Sequence, residues 1–216
     1  MTLFNDRRDA GRQLAAMLGL DGNDSVVLGL SRGGVPVAFE VARMLGKPLD
    51  VFVVRKLGVP GQPEVAMGAI ASGGGKAINS DIVAQLDMTD EAIEEAIAEE
   101  RDELARRQRM YRGWDTPAAV YGRHVILVDD GLATGASMRA ALDGVRALDA
   151  GSVTIAVPVA ARDTCAWFTQ AADQLVCLET PEPFGGVGRW YRDFGQTSDD
   201  EVCRLLGQAR AIRRSA

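Results

Sequence analysis

Val125-Ile126-Leu127-Val128-Asp129-Asp130-Gly131-Leu132-Ala133-Thr134-Gly135-Ala136-Ser137 carries the signal from which the rest of the chain can be read. A short run of apolar, mostly β-branched residues is the pattern of a strand buried on both faces. Two adjacent carboxylates stand where that strand ends. A loop of small and hydroxyl residues follows, Gly131 to Ser137, and leads into a helical pattern from Met138 to Leu148. Such a loop turns several backbone N–H groups toward one point, and the helix dipole adds partial positive charge there. The stretch thus predicts an anion cradle beside two carboxylates, suited to a ligand with a phosphate at one end and vicinal hydroxyls, or a bound Mg²⁺, nearby. It is not a Walker A loop, which closes on Gly-Lys-Ser/Thr. It is not a dinucleotide fingerprint either, which needs G-x-G-x-x-G.

Working outward, Val26 to Leu30 reads as a second buried strand, followed by Ser31-Arg32-Gly33-Gly34 and a helix to about Leu45 that Gly46 stops. Leu49 to Val54 reads as the next strand. A strand-helix-strand unit implies parallel strands joined by a right-handed crossover. The Ser31–Gly34 loop therefore lies at the carboxyl edge of the sheet, where open α/β sheets bind ligands. With Arg32 beside a glycine-permitted nest of N–H groups it is a candidate second anion site. Arg55 and Lys56 follow the next strand and are placed to face the same edge. The stretch Arg55 to Glu64 is rich in Gly and Pro and predicts irregular structure. Ala66 to Ala71 is a further strand candidate, and Ser72 to Gly75 a turn.

The chain of 216 residues suits one α/β domain with a substantial core, and 47% hydrophobic and 25% charged residues are ordinary for a globular protein. A net charge of −6 argues against a nucleic-acid partner, and no DNA partner is expected. The first residues show no apolar signal core. No apolar run approaches the roughly 18 residues of a membrane helix. A cytoplasmic protein without a membrane partner is the expectation. Cys165, Cys177 and Cys203 lack metal-ligand spacing, and His124 is the only histidine. That weighs against a zinc site and a Ser-His-Asp triad, and predicts free thiols.

Upstream, Asn5 or Asp6 can cap a first helix running to Leu18, which Gly19 ends. In the middle, Thr89-Asp90-Glu91 starts a long helix to Arg112, with Gly113 as its stop. Ile93, Ile97, Leu104 and Tyr111 form a narrow apolar stripe. It predicts packing on a single surface or on a partner subunit, as in a homodimer. Downstream, Ser152 to Val159 and Leu175 to Leu178 read as strands around a helix from Arg162 to Ala171. The tail from Thr180 to Gln196 is irregular and aromatic. Its Phe184, Trp190, Tyr191 and Phe194 either line a binding site or plug the sheet edge. Ser198-x-x-Glu201 is a capping box for a last helix. No repeat or low-complexity segment is visible.

The stretch 125–137 resembles the PRPP-binding motif of type I phosphoribosyltransferases: four hydrophobic residues, two acidic ones, then a loop of Gly, Ala, Thr and Ser. The resemblance covers Val26 to Leu178. It is most specific to a bacterial group of predicted phosphoribosyltransferases that shares three features. These are the turn Arg32-Gly33-Gly34-Val35-Pro36-Val37, the stretch Val54 to Glu64, and the Trp190-Tyr191-x-Asp193-Phe194 tail.

The resemblance implies an α/β fold with a doubly wound, mostly parallel five-stranded sheet and a small hood. Residues 1–216 would form one such domain, with 72–122 as a helical insertion containing the mobile loop and 180–196 as the hood candidate. It further implies transfer of the phosphoribosyl group of PRPP·Mg to a nitrogen acceptor such as a nucleobase, with release of pyrophosphate. Asp129 and Asp130 would hold the ribose hydroxyls, directly or through Mg²⁺. Ala133, Thr134, Gly135, Ala136 and Ser137 would hold the 5′-phosphate. Ser31, Arg32, Gly33, Gly34 and Lys56 would hold pyrophosphate, with a non-proline cis peptide near Ser31-Arg32. Glu64, Trp190, Tyr191 and Asp193 are candidates for the acceptor side. Hypoxanthine-guanine members carry a third carboxylate where this chain has Ala133; adenine and orotate members have Ala there. That departure weighs against a 6-oxopurine acceptor. The alternative on the same fold is a regulator that senses PRPP or a nucleotide without turnover.

Overall fold

The structure, a computed structural model, describes residues 3–19, 24–113 and 118–214. Asp6 caps α1 (Arg7–Leu18), its carboxylate accepting from Asp9 N, and Gly19 follows the last turn. The sheet begins with β1 (Ser25–Leu30), buried along its whole length, and returns through α2 (Gly34–Leu45) to β2 (Leu49–Phe52). Gly46 ends α2 in the left-handed region, which a side-chain-bearing residue enters only at a cost.

The next stretch departs from the expected irregular structure. Val54–Val59 is β3 and Gln62–Ala71 is β4, an antiparallel pair joined at Pro60-Gly61. The Gly and Pro that read as breakers occupy a two-residue turn instead. Pro presets the first turn position, and Gly61 takes a φ of +78° at the second. A 3-10 turn at Ser72–Gly74 leads to β5 (Lys76–Ile78), which completes a three-stranded antiparallel sheet.

Two helices follow, α3 (Ser80–Gln85) and α4 (Asp90–Arg112), the latter capped by Thr89 and closed at Gly113 as the sequence predicts. Ile93, Ile97, Leu104 and Tyr111 are all buried. Their stripe is covered within the chain, in one cluster with Leu57 and Met67 of the small sheet and Val202, Leu205 and Leu206 of the last helix.

The chain then re-enters the main sheet through β6 (His124–Val128), α5 (Ala136–Ala147), β7 (Ser152–Val159), α6 (Arg162–Ala171) and β8 (Gln174–Glu179). It ends, after the tail, with α7 (Asp199–Arg214); Ser198 Oγ accepts from Glu201 N at 3.1 Å.

The main sheet has five parallel strands in the order β2-β1-β6-β7-β8. Leu14, Val37 and Val41 of α1 and α2 cover one face, while Met138, Leu142 and Val145 of α5 and Phe168 of α6 cover the other. Each such side chain taken fully out of water contributes roughly 1.5–3 kcal/mol. The order matters for function. β1 continues outward to β2, and β6 continues the opposite way to β7, so the winding reverses between β1 and β6. Gly29 pairs with Val128 across that boundary. The loops that follow, 31–34 and 129–135, therefore leave the same edge side by side, at the switch point where open α/β sheets hold ligands. Among the described residues no helix is long and apolar enough to cross a membrane.

Candidate active site

β6 delivers Asp129 and Asp130 to the carboxyl edge. Asp129 Oδ1 accepts from Asp130 N at 2.9 Å. Burial raises both carboxyls above the usual range. For Asp129 the neighbouring Asp130 charge pushes the same way. For Asp130 the charge and hydrogen bond of Arg7 push back, and Lys56 helps. Burial thus disfavours charge on both acids, a cost that a bound cation or hydroxyl donor would relieve. Asp130 keeps 14% of its side-chain surface exposed, so the pair is reachable.

The loop beyond is pinned from below and open above. Leu132 is buried and tied to the end of β7 and just beyond it: its N–H donates to Val159 O and its carbonyl accepts from Ala161 N, each at 2.9 Å. Ala133 and Thr134 are exposed, and Thr164 Oγ1 on α6 donates to Ala133 O at 2.6 Å. Gly135 is the N-cap of α5 with φ +76°, and a Cβ there would also stand 2.8 Å from Phe168 and Thr164. Only glycine satisfies both the left-handed turn and this close approach. Ala136 and Ser137 then open α5, two residues earlier than the helix expected from Met138. As first-turn residues they present N–H groups that the helix itself does not use.

The 31–34 loop closes on the carboxylates. Its Ser31-Arg32 peptide is cis. A Cβ on Gly33 would come within 2.2 Å of Asp130 Oδ2, and one on Gly34 within 2.5 Å of Val128 O and 2.8 Å of Asp129 Cα. The glycines are thus what lets the two loops touch. Ser31 is tied inward, its Oγ accepting from Val54 N at 3.3 Å.

Arg32 is not a free cation. Its guanidinium lies 3.7 Å from Asp199 Oδ1 at the start of α7, and that oxygen also accepts from the Tyr111 hydroxyl at 2.5 Å. Arg55 and Lys56 do not face one way, because neighbours on a strand point to opposite sides. Arg55 pairs with Glu100 of α4 at 2.6 Å, while Lys56 is exposed and its charge is felt by both carboxylates.

The tail packs over this edge. Tyr191 is buried and its hydroxyl donates to Asp130 O at 2.6 Å; burial and the nearby Asp130 charge push that phenol up. The Trp190 indole donates to Phe184 O at 2.9 Å. Asp193 is exposed and its carboxylate caps Gly195 N at 3.1 Å. The polar ends of these three are engaged within the chain. Phe4, Tyr191, Phe184, Trp190 and Phe194 share one apolar cluster, so the aromatics plug the sheet edge. Glu64 lies on β4, and its side chain falls outside the described residues.

The sequence does not single out Arg7. Its Nε sits 2.8 Å from Asp130 Oδ2. One local signal exists: a basic residue in the first turn of a helix opposes the dipole and so needs another reason. Asp199 and Tyr111 likewise read, in the sequence, only as a helix start and part of an apolar stripe.

Among the described residues no group of three or more His, Cys, Asp or Glu could hold a metal. The Asp129–Asp130 pair is an all-oxygen donor set, which fits a Mg²⁺ that completes its shell with ligand oxygens and water.

A model of the phosphoribosyl transferase domain matches residues 5–178. The Mycobacterium tuberculosis H37Rv protein named Putative phosphoribosyl transferase Rv0571c is 50% identical over 210 residues, which is 97% of this chain and 47% of that protein. The chain therefore spans about half the length of the curated relatives it matches. The crystal structure of TT1426 from Thermus thermophilus is 45% identical, with a TM-score of 0.78 over 96% of this chain and 99% of that one. A Neisseria gonorrhoeae hypothetical protein solved with bound ppGpp has 16% identity and a TM-score of 0.53, covering 97% of each chain, and shares the fold.

Proposed function

The chain belongs to the phosphoribosyl transferase domain family, and from that premise we propose that it transfers the phosphoribosyl group of PRPP·Mg to a nitrogen acceptor, with pyrophosphate leaving. One observation carries the reading most: the bare Gly33 and Gly34 bring one anion loop directly against the carboxylates at the mouth of the other. A donor with a phosphate at one end, vicinal hydroxyls in the middle and a pyrophosphate at the other end matches that layout.

In this reading Asp129 and Asp130 accept the ribose 2′- and 3′-hydroxyls. The N–H groups of residues 133–137 hold the 5′-phosphate at the N-terminus of α5. The 31–34 loop, with Arg32 and Lys56, takes the charge that grows on the leaving pyrophosphate as the bond to the ribose carbon breaks and the bond to nitrogen forms. Charge placed in advance where it develops is the main catalytic lever open to a protein here. Mg²⁺, when bound, neutralises pyrophosphate charge. The tail over Asp130 serves as the hood on the acceptor side. Ala133 cannot take a proton, so a 6-oxopurine finds no base in the phosphate loop.

The test is pyrophosphate release from PRPP·Mg across a panel of nucleobases and other nitrogen acceptors. Turnover with one of them is expected, with hypoxanthine and guanine poor. Release lost on changing Asp129 and Asp130 together to Asn supports the site, and release retained in that variant overturns it.

A regulator that senses PRPP or a nucleotide is the second reading. It is favoured by the internal pairing of Arg32 with Asp199, which leaves a pyrophosphate-side charge partnered before a ligand arrives. A PRPP-induced rise in melting temperature with no pyrophosphate release from any acceptor selects it.

A further inference from the structure

Arg7 opens α1, where a cation gains nothing from the helix dipole. What holds it there is tertiary. Its side chain is 12% exposed. Nε reaches Asp130 Oδ2 at 2.8 Å, Nη1 donates to Gly195 O at 2.6 Å, and the guanidinium carbon lies 3.9 Å from the centre of the Phe194 ring. The main-chain carbonyl of Asp130 accepts the Tyr191 hydroxyl. Asp130 is thus gripped at its side chain and its backbone by segments outside its own strand and loop. The grip lies at the junction of the two anion loops, since a Cβ on Gly33 would stand 2.2 Å from Asp130 Oδ2 and 3.4 Å from Arg7 Nε.

We propose that Arg7 is a positioning residue of the ribose subsite: by taking Oδ2 it fixes the Asp130 carboxylate so that the other oxygen receives ligand hydroxyls. This rests on the ribose role proposed above for Asp130. The position calls for arginine. A planar fork donates from two separated nitrogens, to Asp130 and to Gly195 O, and stacks its flat face on Phe194; an ammonium donates from a single point and has no such face. With Nε on Asp130 and Nη1 on Gly195 O, the part assigned to Arg7 is played through the Asp130 carboxylate and not on pyrophosphate. Its loss should therefore be felt by ligands that carry ribose hydroxyls and not by pyrophosphate.

Dissociation constants for PRPP·Mg, ribose 5-phosphate and pyrophosphate·Mg, measured by calorimetry on the wild type, R7K, R7Q and R7A, decide the matter. In R7A the two ribose ligands should weaken by about ten- to a hundredfold, the effect of losing one charge-assisted contact, with pyrophosphate·Mg almost unchanged. R7K should recover part of the loss, and R7Q less. If R7A does not fold, R7K and R7Q carry the same comparison. Equal weakening of all three ligands, or ribose ligands bound as tightly as by the wild type, overturns the role of Arg7. A wild type that binds pyrophosphate but neither ribose ligand overturns this role together with the proposed function. Wild-type binding of PRPP with undiminished variants overturns this role alone.

Discussion

At the residue scale the site stores an electrostatic cost. Asp129 is pushed up by burial and by Asp130. An acid whose folded value lies above its unfolded one is favoured in its protonated form. It costs nothing below the unfolded value, and the cost grows as pH rises from there through the folded value. Wild-type stability should therefore fall as pH rises through that window. Asp129→Asn should remove most of the dependence, because an amide does not titrate, and its oxygen can still accept from Asp130 N. It should stabilise the ligand-free chain at neutral pH by about 0.5–2 kcal/mol, or about 2–4 °C per kcal/mol for a chain of this size, while losing the response to PRPP. Thermal denaturation across pH reads this. A variant no more stable than the wild type at neutral pH would show that the carboxylate bears no burial cost. The carboxylate pair and its loop are legible in the sequence, because the residue types and their order define the motif. Arg7 is not, because nothing local ties residue 7 to residue 130.

At the element scale three segments meet on Asp199: the 31–34 loop through Arg32, α4 through Tyr111, and α7, which Asp199 opens. The Arg32 pair is half-exposed and long, so it is worth at most about 1 kcal/mol. Asp199→Asn should free Arg32 and tighten pyrophosphate·Mg by up to about fivefold. The same change should lower stability by about 1 kcal/mol as the Tyr111 hydrogen bond loses its charged acceptor. Calorimetry and urea unfolding separate the two effects. Weaker pyrophosphate binding would mean that Asp199 holds Arg32 in its working position instead of competing for it. Among the elements themselves, α4 is legible end to end, because a Thr cap, a four-to-seven residue apolar spacing and a closing Gly are all local signals. The β3–β4 hairpin is not, because Gly58, Pro60 and Gly61 read as breakers, whereas they mark a bulge and a turn.

For the whole molecule, the first and last parts of the chain dock together. Leu3 N and Phe4 N donate to Trp190 O, Arg192 N to Phe4 O and Asp193 N to Asn5 O, while Phe4 packs against Tyr191 with centroids 5.3 Å apart. This closes the molecule over Asp130. Phe4→Ala should cost about 3–5 kcal/mol, as for other buried rings, and should weaken PRPP because Tyr191 loses its support. Urea unfolding yielding less than about 1 kcal/mol would place the docked segment outside the cooperative core. The sequence by itself determined the helices other than α3 with the caps of α1, α4 and α7, the buried parallel strands, and the two glycine-bearing loops with the carboxylates between them, all of which depend on periodicity and on residues a few positions apart. Only the tertiary structure decided that β1 lies beside β6, that the glycines of one loop rest on the aspartates of the other, and that Arg7 and Asp199 reach the site. Those contacts join residues far apart in the chain, and they exist because burying the sheet faces and closing the edge leaves one packing in which such distant segments meet.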